Sequence, residues 1–195
     1  MLIVLDTNVI QASNPSLTTA GVDALLDYAA RTESEIIVPQ IVLQELEWNY
    51  RRGLSEKVAG IHSAIKNLQR LARSTLPCNF EFDIEEEVQL YMATVRGRLK
   101  ASRAEPFGYK LEHVQDAIAR AVSRRRPCSV RGEEIRDAII WAAILDVLRE
   151  GADVAFISAN TREFGPDGKL HSECDWRKQS MQKSPSHSRQ ESEEE

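Results

Sequence analysis

Five residues of this 195-residue chain have the chemistry and the spacing to act together: Asp6, Glu45, Asp137, Asn160 and Glu163. Asp6 closes the opening apolar run, Met1-Leu-Ile-Val-Leu, and is followed by Thr7 and Asn8. Glu45 lies about two turns into the helix expected after a second apolar run, 35 to 39. Asp137 stands near the start of the helix that precedes a third run, 154 to 157, and Asn160 and Glu163 follow that run. Carboxylates gathered in one crevice repel and raise one another's pKa unless a cation neutralises them. All-oxygen sites suit hard cations such as Mg²⁺ or Mn²⁺. One or two such ions make hydroxide accessible near neutral pH and stabilise an in-line displacement at phosphorus.

The elements that must position these groups read as strands and helices in alternation. Leu, Ile and Val in unbroken runs, without polar alternation, predict central parallel strands covered on both faces. Parallel strands bring their C-terminal ends to one edge, where open α/β sheets bind ligands. The apolar spacing predicts helices up to about residue 31, from residue 39 to about 71 as one helix or as two divided at Gly53, from 84 to 104, from 111 to 124 and from 133 to 149. Gly151 fits the C-terminal end of the last of these. Residues 74 to 83, with Phe80 and Phe82, read as a connection or a minor strand, and Pro106, Phe107 and Gly108 as a separator. The fold class is therefore α/β, with a central parallel sheet of about four or five strands and an extended helical middle region.

Hydrophobic residues make up 42% of the chain and charged ones 28%, which specifies a globular protein with a sizeable core. The net charge of −5 does not mark a nucleic-acid binder, but local basic stripes outweigh the sum. One such stripe is Arg124, Arg125, Arg126 and Arg131, just before the Asp137 helix; a second, from Arg96 to Arg103, reads as a solvated helix face. Cys78, Cys128 and Cys174 show no metal or disulfide spacing, which fits reduced thiols in the cytoplasm. No apolar run approaches the roughly 18 residues that span a bilayer, so no membrane partner is expected. The sequence expectation is one domain over residues 1–176 and a polar, acidic, disordered tail over 177–195.

Four segments carry a family resemblance: the strand ending in Asp6-Thr7-Asn8, Val38-Pro39-x-x-Val42-Leu43-x-Glu45-Leu46, Arg136-Asp137-Ala-Ile-Ile-Trp141, and Phe156-Ile-Ser-Ala-Asn-Thr-Arg-Glu-Phe164. In this order, over about residues 1 to 171, they resemble the PIN domain, and the long middle region is closer to larger bacterial PIN-like proteins than to compact toxins of toxin–antitoxin pairs. The resemblance implies a three-layer α/β/α fold and a Mg²⁺- or Mn²⁺-dependent endoribonuclease. Asp6, Glu45 and Asp137 would be its acidic ligands, and Asn160 or Glu163 would complete the shell. It implies that Ser158 orients a ligand or a water and that Asn8 holds Asp6 in place. Arg124, Arg125, Arg126 and Arg131 are the expected phosphate contacts, since an arginine fork suits phosphate. RNA is the implied substrate, with a homodimer and a regulatory protein partner as further expectations.

Where the family often carries an acid, this chain has Asn160, which motivates a rival reading as a catalytically degenerate RNA-binding or assembly module. An aspartate-pair phosphatase would need a second Asp two residues after Asp6, where this chain has Asn8. His62, His113, His171 and His187 form no ligand spacing, and Trp48 and Trp141 read as core or interface residues.

Overall fold

A computed structural model of the protein describes residues 1–11, 20–72, 79–128, 131 and 134–165. Four strands form one parallel sheet: β1 (Leu2–Leu5), β2 (Glu35–Pro39), β3 (Glu105–Phe107) and β4 (Val154–Ile157), in the spatial order β3-β2-β1-β4. Register pairs Val4 with both Ile37 and Phe156, and Leu5 with Ile157. Consecutive residues Ile3, Val4 and Leu5 are all buried, as are Ile36, Ile37 and Val38. Since neighbouring side chains in a strand point to opposite faces, both faces of the sheet are covered, which makes the architecture α/β/α.

The helices are α1 (Thr7–Gln11), α2 (Ala20–Arg31), α3 (Gln40–Leu71), α4 (Ile84–Ala101), α5 (Leu111–Val122), α6 (Ile135–Arg149) and α7 (Thr161–Phe164). Of the two alternatives at Gly53 the structure has the single helix: α3 runs unbroken for 32 residues. A helical glycine costs only about 1 kcal/mol relative to alanine, too little to interrupt a helix already nucleated on both sides. Only its first turns enter the core, through Val42, Leu43 and Leu46. Beyond them α3 is braced against α4: Tyr50 stacks on Tyr91 with centroids 4.0 Å apart, and Arg51 grips Glu85 at 2.8 and 2.9 Å. Asp83 caps α4 by accepting the Glu85 and Glu86 amides at 2.9 and 3.0 Å.

Two further differences concern short elements. Helix α4 ends at Ala101 rather than 104, and the expected separator is strand β3, whose Pro106 pairs with Val38. At the sheet edge a proline's missing amide costs no ladder bond on the open side. Residues 79–83 form a connection and no strand, and the rest of that expected segment, 74–78, lies outside the described residues, as does the expected tail. Helix α6 is the central helix: every residue from Ala138 to Leu145 is buried, and α5 packs along it. Gly151, at φ 88°, closes α6 by donating its amide to the Leu148 carbonyl at 3.1 Å.

Candidate active site

Going from β1 through β2 to β3 the chain moves outward on one side, and β4 returns to the other side of β1. The turns after β1 and β4 thus flank the switch point at the C-terminal sheet edge, where a crevice opens. Asp6 enters from the first turn and is 3% exposed. Its Oδ1 accepts the Thr7 amide at 2.7 Å. Its Oδ2 accepts Asn8 Nδ2 at 2.8 Å and the Ser158 hydroxyl. The second turn is tied in by the same residues: Ala159 N–H donates to Asn8 Oδ1 and Asn160 N–H to Ser158 Oγ, both at 2.9 Å. Asn8, expected to hold Asp6, and Ser158, expected to orient a ligand or a water, both contact the Asp6 carboxylate directly.

Glu45 approaches from the second turn of α3. Thr7 Oγ1 donates to its Oε2 at 2.8 Å, and Arg136 Nη1 donates to its Oε1. Asp137 arrives in the first turn of α6, where Asn160 Nδ2 donates to its Oδ2 at 2.6 Å. Asp6, Glu45, Asp137 and Asn160 together line a cavity of about 370 Å³, with Asn8, Glu134 and Arg136 at its walls. Burial pushes the Asp137 carboxyl up to about 7, and the charges of Asp6 and Glu45 push in the same direction; Arg136 opposes them and Glu134 reinforces them.

The lining, four carboxylates (Asp6, Glu45, Glu134 and Asp137) and two carboxamides (Asn8 and Asn160) with no His or Cys, is a donor set that fits a hard divalent cation. Among the described residues, no three acidic, His or Cys side chains stand close enough to form a ready-made cage. Instead, the carboxylate oxygens are held by Thr7, Asn8, Ser158, Arg136 and Asn160. An ion here would draw in side chains that are already gathered and oriented.

Glu163, expected as a ligand, is not among the cavity residues. It is 3% exposed, and its carboxylate is taken by Arg126 Nη1 at 2.9 Å and approached by Arg162 Nε at 3.6 Å. A buried carboxylate needs such pairing, and α7 turns this one inward. Arg126, expected as a phosphate contact, is the other half of this clamp: it also donates to the Arg162 carbonyl, and its own carbonyl accepts buried Arg120 at 2.8 Å. Arg124, Arg125 and Arg131 are exposed. Thr7, Glu134 and Arg136 were missed as site residues. Arg136 did leave a signal, since a cation in a helix's first turn opposes the helix dipole and calls for a local acid.

These features define a class: an α/β/α protein with a hydrogen-bonded acidic cavity at the switch point of a parallel sheet. A family model described as the PIN domain matches residues 3–164, and the chain belongs to that family. PIN domains are generally nucleases and typically use divalent metals. No curated protein matches the chain.

Proposed function

We propose that this protein is a Mg²⁺- or Mn²⁺-dependent endoribonuclease that hydrolyses phosphodiester bonds of RNA at the Asp6–Glu45–Asp137 cavity. The observation that carries the reading is the gathering of Asp6, Glu45 and Asp137, with Glu134 at the wall, on one cavity, with Asp137 so placed that its negative charge is costly until a cation joins it. A divalent cation held there supplies charge neutralisation at the phosphoryl group and makes water a stronger acid. The protein's part is positional. Asp6 is fixed by Asn8 and Ser158, Glu45 by Thr7 and Arg136, and Asp137 by Asn160, which leaves little side-chain entropy to lose when a ligand enters. The exposed Arg124, Arg125 and Arg131 precede the Asp137 helix and are the proposed contacts to the RNA backbone, which hold a substrate without reading its sequence.

A second reading, a catalytically degenerate PIN domain that binds RNA or supports an assembly, is favoured by one feature. Asn160 brings no charge to the cavity, and Glu163 does not make up the difference because Arg126 holds it elsewhere. One experiment separates the two. Purified protein and Asp6→Asn are incubated with labelled single-stranded RNA, duplex RNA and DNA, in Mn²⁺, Mg²⁺ or EDTA, with circular dichroism melting to check the fold. Cleavage of RNA that needs metal and vanishes in the folded variant supports the nuclease. Cleavage retained in Asp6→Asn refutes the site, and RNA binding without metal-dependent cleavage moves the assignment to the binding module. A cytoplasmic location, a homodimer and a regulatory partner belong to the same proposal; no helix among the described residues is long and apolar enough to cross a membrane.

A further inference from the structure

Two tryptophans of the described chain have opposite environments. Trp141 on α6 is 1% exposed and belongs to the core, whereas Trp48 on α3 is 52% exposed. The fold makes little use of the Trp48 indole, because α3 meets the core through Val42, Leu43 and Leu46. Its position is specific all the same. Trp48 follows Glu45 by three residues and Arg52 follows Trp48 by four, a spacing that places all three on one stripe of the helix. The rise from Glu45 to Trp48 is only about 4.5 Å. At one end of the stripe Glu45 lines the acidic cavity; further along, the Arg52 guanidinium sits over the indole, 4.6 Å from the ring centroid.

We infer that Trp48 and Arg52 form a stacking site for an unpaired nucleobase flanking the scissile phosphate, so that the protein takes single-stranded RNA in preference to duplex. The inference rests on the RNA-nuclease reading above. Every base presents a π-face to an aromatic ring, and a guanidinium adds cation–π attraction without demanding a sequence. A strand whose phosphate lies at the Glu45 end of the stripe carries its neighbouring nucleotide toward the Trp48 end. In a duplex that base is stacked and paired within the helix, and exposing it costs a few kcal/mol. The arginines before α6 supply the backbone contacts common to both substrates, while the Trp48 stripe discriminates between them.

The test measures binding of the full chain in EDTA, where no cleavage occurs, to a labelled single-stranded RNA and to a blunt duplex of the same sequence. Trp48→Ala is expected to weaken single-stranded binding between about fivefold and one-hundredfold, the range of one base–aromatic stack. Trp48→Phe recovers most of that loss, duplex binding changes by less than about twofold, and the melting temperature of an exposed-site variant stays put. Undiminished single-stranded binding by Trp48→Ala overturns the stacking site and leaves the nuclease reading intact. An equal loss on both substrates, or a loss of self-association with RNA binding unchanged, also overturns it and assigns the indole another role. If the parent protein neither binds nor cleaves RNA, the nuclease reading and this inference fall together.

Discussion

Replacing Asp137 by Asn should make the metal-free protein more stable, and more so at higher pH. Asp137 is raised from 3.8 to about 7, first by burial and then by the charges of Asp6 and Glu45. A carboxyl whose folded-state pKa is raised keeps its proton in the native state over a window in which the unfolded chain has lost it. The native state therefore binds more protons between about 4 and 7, and stability falls as pH rises through that window. Below it the penalty is absent; above it the penalty is complete, roughly 4 kcal/mol at ~1.4 kcal/mol per pH unit. Between pH 5 and 8 the change is roughly 2–3 kcal/mol, or on the order of 5–10 °C in melting temperature for a domain of this size. The carboxamide of the Asp137→Asn variant would carry no charge and could still accept the hydrogen bond from Asn160, so the cost disappears with the carboxylate. The assay is thermal unfolding of the parent and Asp137→Asn in EDTA at pH 5 and pH 8, repeated at pH 8 with Mn²⁺. The difference between the two proteins should be small at pH 5 and large at pH 8, and Mn²⁺ should raise the melting temperature of the parent alone. Parallel melting curves at both pH values would refute the argument that Asp137 bears the strain of the acidic cavity.

Two further substitutions test neighbouring assignments. Glu163→Gln removes the buried charge that the partly exposed Arg126 holds, and should destabilise the protein by roughly 1–3 kcal/mol while leaving the metal-induced rise in melting temperature unchanged. Loss of the metal response in a folded variant would return Glu163 to the ligand set. Asn160→Asp places a further acid against Asp137, so calorimetry in EDTA at pH 8 should show a lower melting temperature, and titration with Mn²⁺ a larger recovery, than in the parent. Equal recovery in both would mean that residue 160 does not share a cation with Asp137.

The strands that carry the site, Leu2–Leu5, Glu35–Pro39 and Val154–Ile157, were legible because each contains an unbroken run of apolar residues. Strand β3 was not, since three residues centred on Pro106 have no apolar period and acquire strand geometry only by pairing with β2. Asp6, Glu45, Asp137 and Asn160 could be grouped from their places near strand ends, because a parallel sheet takes those ends to one edge. Direction could not be read in the same way. Glu163 is three residues from Asn160, yet a single turn of α7 aims it at Arg126. Thr7 and Arg136 meet Glu45 across separations of 38 and 91 residues, contacts with no local signature. Trp48 and Trp141 look alike on their helices; what separates them is that α6 is surrounded whereas one side of α3 faces water.

The two charged centres around the β4–α7 turn divide the work between them. At Glu163 the buried acid is matched by Arg126, whose carbonyl is in turn held by buried Arg120. On the cavity side the acids are met chiefly by neutral donors, Thr7, Asn8, Ser158 and Asn160, with Arg136, an exposed side chain, on Glu45. Neutral donors orient a carboxylate without cancelling its charge, so Asp6 can be held at 3% exposure while its field still acts on Asp137. A matching buried arginine on the cavity side would have relieved Asp137 and, by the same step, removed the attraction for a divalent cation. The clamp at Glu163 ties Arg126 to α7, through the Glu163 carboxylate and the Arg162 carbonyl, just beyond the turn that carries Ser158 and Asn160. The fold thus fixes the positions of the acids while leaving their charge for a ligand to neutralise.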